Sequence, residues 1–225
     1  MADAPADYVK AFMSDHVVDP ARAALVIVDM QYATGHPTGP LAQKMAAEGT
    51  AATTAWRFAR ITDLVIPNTR RLIDAMRKAG GQVIYVTIGA EKPGAPDAPL
   101  HMRKFFADCG NHLGSRAHQI VDELAPEPQD HIVRKTSIGA FASTNIDHLL
   151  RTLGRHDLYF SGVSTNMCVD TTAREAADRG YAVTMIGDAC ATTHEDLHNA
   201  ALRNFQRFFG RVRSTEDVLA ELAGR

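Results

Sequence analysis

The sequence predicts a three-layer α/β/α fold of one domain, built on a doubly wound, mostly parallel sheet of six strands. Three observations predict it. Short apolar runs rich in β-branched residues recur along the chain, as strands buried on both faces require. Segments with helical spacing alternate with these runs, the pattern of parallel strands joined by crossover helices. The fixed hand of such crossovers then covers both faces of the sheet with helices.

Each element can be read in turn. Residues 1–20 are an N-terminal extension, and the polar start MADAPADYVKAFMSDH lacks the apolar core of a signal peptide. AALVIV at 23–28 is the first strand. Residues 32–60 form a 29-residue excursion without strong periodicity, long for a βα connection and therefore suited to function or subunit contacts. Residues 61–79 carry Leu64, Val65, Leu72, Ile73 and Met76 at helical spacing and stop at Gly80-Gly81. VIYVTI at 83–88 is the second strand. The stretch 89–114, with three prolines and four glycines, reads as irregular, and 115–124 as a short helix. Residues 131–134 give a third strand and 145–153 a helix ending at Gly154. DLYFSGV (157–163) is a strand, MCVDTTAREAADRG (167–180) a helix and YAVTMIG (181–187) a strand. A helix at 194–209 follows, opened by His194 and Glu195 with Thr193 able to cap it. A short strand at 211–213 and a helix at 214–222 close the chain.

Bulk properties exclude several classes. Of 225 residues, 45% are hydrophobic and 22% charged, which suits a globular domain with a sizeable core. The net charge of −2 is spread along the chain and gives no nucleic-acid surface. No apolar run is long enough to span a bilayer, so the expectation is a cytoplasmic protein with no membrane partner. Three cysteines, Cys109, Cys168 and Cys190, are too few and too dispersed for a disulfide framework or a zinc ribbon.

In an open parallel sheet, ligands bind beyond the carboxyl ends of the strands. Asp29 closes the first strand, Lys135 follows the third, and Cys168 lies just after the fourth near a helix start. A thiol there feels the positive end of the helix dipole, an ammonium adds to that effect, and a carboxylate can take the thiol proton. The turn SGVSTNMC offers backbone N–H groups for an oxyanion. Each residue also has an ordinary reading: a small buried hydrophobe, a structural carboxylate, a solvated lysine. A nucleotide site is a poor fit, because VDMQYATG replaces a glycine-rich loop after the first strand.

The segments LVIVDMQ, KTSIGAF and GVSTNMCVDTTAREAADRGY followed by DAC together resemble the isochorismatase-like cysteine hydrolases, from about residue 22 to the C-terminus. The resemblance implies a catalytic triad of Asp29, Lys135 and Cys168. It also implies an oxyanion hole from the amides of Ser164 and Cys168, next to a cis peptide at Val163–Ser164. Cys168 points to hydrolysis of a small amide, ureido or carbamoyl C–N bond through a thioester. A catalytically idle member that binds a metabolite or serves as an oligomeric scaffold is the alternative. No cofactor and no metal are expected, since the single Asp-x-His pair, Asp196 and His198, falls in a late helix and does not share a face. Where biuret hydrolases place a substrate-binding glutamine, this chain carries Phe208. The resemblance suggests a homodimer or homotetramer.

Further candidates for substrate contact are Gln31, Tyr32, Trp56, Phe141 and Asn166, with Phe58 beside them in the long excursion. Arg57 and Arg60 suit either an anionic substrate or the protein surface. His101, Arg103 and Lys104 in HMRKFF suit either the site or a partner subunit, and Cys190, placed after the fifth strand, suits packing.

Overall fold

A computed structural model describes residues 8–9 and 16–224. The described residues form one six-stranded sheet, all of it parallel, in the order β3-β2-β1-β4-β5-β6. Its strands are β1 (Ala23–Val28), β2 (Gln82–Ile88), β3 (His131–Lys135), β4 (Asp157–Val163), β5 (Ala182–Ala191) and β6 (Arg211–Arg213). The chain runs outward from β1 to β3, then returns to β1's other side with β4. The switch point therefore lies between β1 and β4, where this topology opens a crevice at the carboxyl ends.

β1 shows why an uninterrupted apolar run is required. Ala24, Val26 and Val28 face one buried cluster, and Ala23, Leu25 and Ile27 face the other. Period-two alternation carries both sets, so no position tolerates a polar side chain. On one face pack α4 (Ile66–Lys78) and α9 (Thr215–Leu222), through Leu72, Ile73, Met76, Val218 and Leu222. The other face takes α5 (Leu100–Asp108), α6 (Ile146–Thr152), α7 (Asp170–Asp178) and α8 (Glu195–Phe208). Both layers that the sequence predicts are present.

Several boundaries differ from the sequence expectation. The long excursion contains α1 (Tyr32–Gly35), α2 (Pro40–Ala47) and α3 (Ala55–Arg60). α3 runs without a break into α4 through a widened π turn at Ile61–Val65. That turn lies just before Pro67, which has no N–H to donate to the carbonyl one regular turn back and whose ring crowds it. The segment 89–114 is not wholly irregular, since α5 begins right after Pro99. Conversely, 115–124 is not a helix: Ala117, Gln119 and Val121 exchange backbone hydrogen bonds with residues 30–33, leaving a single 3₁₀ turn at Asp122–Leu124. β5 continues past its expected end at Gly187 as far as Ala191, through a bulge opposite Phe160–Gly162, so Cys190 lies within the strand. Thr193 makes no side-chain cap; His194 holds the capping position of α8.

Candidate active site

The carboxyl ends of β1, β3 and β4 bring three reactive side chains together. Asp29, the residue after β1, adopts a left-handed backbone (φ 53°), which a short polar side chain tolerates better than most. Its N–H still bonds to Val86 O (2.8 Å), so the chain turns sharply while tied to β2. Gly162 lets β4 approach at this point: a Cβ there would lie 2.1 Å from Val28 O. Lys135 is the last residue of β3 and reaches past the end of β2. Its Nζ donates to Asp29 Oδ2 (3.0 Å) and to Ser137 O (3.1 Å), and both residues of the ion pair are buried.

Cys168 lies in a π turn, Thr165–Val169, that opens the helix continuing as α7. The Val163–Ser164 peptide before it is cis. Thr172 Oγ1, one turn on, donates to Cys168 O (2.6 Å) and accepts from Ala140 N (3.2 Å), while Glu175 accepts from Phe141 N (3.0 Å). α7 thereby fixes the loop after β3 against the turn that carries the thiol.

A cavity of about 310 Å³ opens over these groups. Asp29, Ser164, Cys168 and Thr193 line its floor side by side with apolar residues of α5 (Met102, Phe105, Phe106), and Ile88, Ile138 and Met167 complete an apolar wall. Lys135 stands behind Asp29, outside the lining. Among the described residues, Asp29 Oδ1 has no hydrogen-bond partner, although the Cys168 thiol is near enough to interact with the carboxylate.

Burial dominates the electrostatics. It raises Asp29 above the usual carboxylate range, against the opposing pull of Lys135 and the Cys168 thiol. Burial, reinforced by the Asp29 charge, pushes the Cys168 thiol up to about 12, with Lys135 opposing. The lowered thiol pKa expected from the sequence is not found: burial and the Asp29 charge outweigh the opposing pull of Lys135.

The weaker candidates stand elsewhere. Gln31 is buried, and its amide pairs with Ile88 N and O and with His118 O, stitching β1's end to β2. Tyr32 stacks under Arg116, and Trp56 packs on His198 and Arg60. Phe141 packs on Tyr181, and Asn166 accepts from Thr192 Oγ1 (2.6 Å). None of the five lines the cavity. Cys190 is fully buried against Phe160 O. Arg60 turns away to Cys190 O and Gly187 O. His101 lines the cavity; Arg103 bonds back to Ala98 O, and Lys104 pairs with Asp108. His198 binds Thr165 and Arg60, and no group of three or more His, Cys, Asp or Glu among the described residues is placed to hold a metal.

Arg57 is the residue the sequence reading undervalued. It is 3% exposed and lines the cavity beside Cys168. A signal was present: Arg57, Ile61 and Val65 fall on one i, i+4 row, the buried stripe of the helix, where a cation is out of place.

Comparison with known proteins agrees with this architecture. The ureidoacrylate amidohydrolase of Agrobacterium fabrum is 35% identical over 217 residues, covering 88% of this chain and 89% of that protein. The ureidoacrylate amidohydrolase of Rhizobium rhizogenes is 34% identical over 223 residues, covering 91% and 85%. Among solved structures, a cysteine hydrolase from Pseudomonas syringae pv. phaseolicola superposes with a TM-score of 0.77 at 24% identity, covering 93% of this chain and 96% of that one, and so shares the fold. Residues 23–217 match the isochorismatase domain, and with that span covering the whole sheet and the site at its carboxyl edge, the chain belongs to the isochorismatase family.

Proposed function

We propose that the protein hydrolyses the C–N bond of a small amide, ureido or carbamoyl compound through a thioester on Cys168. The protein is an amidohydrolase, as its kinship with the two ureidoacrylate amidohydrolases supports. The observation that carries the mechanism is the buried Asp29–Lys135 ion pair beside the Cys168 thiol at a mostly apolar cavity.

Because the resting sulfur is a thiol, its proton moves to Asp29 Oδ1 as Sγ attacks the carbonyl carbon. The carboxylate is a stronger base than usual because burial raises it. Electrons displaced from the carbonyl collect on oxygen, where the amides of Ser164 and Cys168 hold them. Asp29 then returns the proton to the departing nitrogen, the C–N bond breaks, and ammonia or an amine leaves. Water adds to the thioester with Asp29 again as base. Collapse releases the acid, and the thiol regains its proton. Lys135 keeps Asp29 Oδ2 occupied, so that Oδ1 alone exchanges protons. Burying the pair costs desolvation, which the 3.0 Å contact and the Ser137 carbonyl offset.

Ammonia release over a panel of ureides, carbamoyl amino acids and simple amides tests this reading. Cys168→Ala should fold and lose at least ~10³-fold in turnover, while Cys190→Ala keeps most of it. Wild-type rates in Cys168→Ala would overturn the mechanism. No release from any compound by the native chain would favour a binding or scaffold role.

A further inference from the structure

We infer that Arg57 anchors an anionic group of the substrate, so that the enzyme takes small amides or ureides bearing a carboxylate close to the scissile carbonyl. The inference rests on Cys168 being the nucleophile of the proposed function. It starts from a charge that has no ion-pair partner among the described residues. The Arg57 guanidinium is buried on the cavity wall, yet among the described residues no carboxylate lies within ion-pair distance of it. Its partners are neutral: Nε and Nη2 donate to Thr34 O (3.1 and 2.9 Å), and Nη1 donates to Ser164 Oγ (2.8 Å). The Asp29 charge reaches Arg57, but that carboxylate is already paired with Lys135.

Charges around the cavity therefore do not cancel. Asp29 and Lys135 neutralise each other, the thiol is uncharged, and Arg57 is left over. Burial lowers it only to about 10, so it stays protonated at neutral pH. An uncompensated cation among apolar side chains is costly, and a fixed one facing a ligand space is stabilised when an anion arrives. Three of the five guanidinium N–H groups have partners, which leaves two for a ligand. A planar fork of this kind suits a carboxylate better than a single acceptor does.

The position also sets where the anion sits. Arg57 holds the side chain of Ser164, whose amide belongs to the proposed oxyanion hole, and Cys168 is close enough to feel its charge. The anionic group therefore lies a few atoms from the carbon that Sγ attacks. Apolar side chains of α5 then cover the remainder of a small substrate.

Two haloacetyl reagents of nearly equal size test this without knowledge of the substrate. Iodoacetate carries a carboxylate and iodoacetamide does not; in both, Sγ displaces iodide from the methylene carbon and forms a thioether. The rates at Cys168 are followed by intact and peptide mass on the full chain, and the ratio iodoacetate to iodoacetamide is compared with that of 2-mercaptoethanol. Changes in thiolate fraction cancel in this ratio, whereas loss of an anion anchor does not. We expect the native ratio to exceed the free-thiol ratio at least tenfold. In Arg57→Gln, shown to be folded by its urea transition, the ratio should fall to the free-thiol value whatever the change in the iodoacetamide rate itself. Arg57→Lys should restore part of the preference. A native ratio no higher than that of 2-mercaptoethanol, or one unchanged in Arg57→Gln, overturns the anchor while leaving Cys168 as nucleophile. If iodoacetamide itself labels Cys168 no faster than Cys190, the proposed mechanism falls and the anchor falls with it.

Discussion

At the scale of single residues, the proposed mechanism holds one proton in reserve. A thiol pushed up to about 12 holds little standing thiolate at neutral pH, so attack on substrate needs the adjacent base, whereas plain alkylation must wait for the thiolate. Alkylation of Cys168 by iodoacetamide should therefore climb about tenfold per pH unit from 8 to 10 without levelling off. A plateau near pH 7 would show a lowered thiol pKa and refute this account. Asp29 and Lys135 form the other half of the device. Asp29→Asn removes the base and Lys135→Met leaves the carboxylate buried without its partner, so each should lower kcat by ~10³-fold or more. The double variant should be little worse than either single one, since groups that act as a unit do not add. Additive losses, measured as kcat on the best amide of the panel, would mean the two act separately. Strand ends made these three positions legible in the sequence. Arg57 was legible only in part: its row with Ile61 and Val65 marks a buried stripe, but what packs over the cation, the Thr34 carbonyl and Ser164, leaves no local mark.

At the scale of elements, β1 and β4 carry the tightest constraint. Gly162 has φ 113°, and a Cβ on it would lie 2.1 Å from Val28 O and 2.9 Å from Val28 N. Gly162→Ala must part the two central strands, at a cost of about 3 kcal/mol or more. Gly154→Ala is the control: its φ is 64° but nothing lies within 4 Å, so only the left-handed backbone penalty of ~1 kcal/mol applies. Urea midpoints compare them, and equal losses would show that strand approach is not what the glycine serves. Elements with strong internal periodicity, such as β4 and α8, were legible to within a residue. The misses share a cause. α5 hides behind Pro93, Pro96 and Pro99, which announce a loop although the last of them merely precedes a helix. The expected helix at 115–124 loses to a tertiary pairing, because its backbone groups find partners in residues 30–33. Such partners lie far away in sequence and leave no local mark.

At the scale of the whole molecule, buried thiols tie stability to alkaline pH. Burial raises Cys109 to about 11 and both Cys168 and Cys190 to about 12, from 9.0. Above pH 9 the unfolded chain therefore holds fewer protons than the folded one, and the unfolding free energy must fall as pH rises, until the folded thiols titrate. The slope approaches about 1.4 kcal/mol per pH unit for each proton concerned. Urea midpoints at pH 8 and 10.5 should drop for the native chain and drop less for Cys190→Ala; equal drops would remove this thiol from the account. The strand order has a consequence in time as well as in space. β1 is made early, yet one of its two neighbours, β4, is more than half the chain away. Until residues 157–163 have been made, any pairing of β1 with β2 leaves the other edge of β1 bare and apolar. The nascent protein must keep that edge from foreign strands until residues 157–163 emerge, and the same late docking brings Cys168 to Asp29, so the chain acquires its chemistry only when its most vulnerable edge is closed.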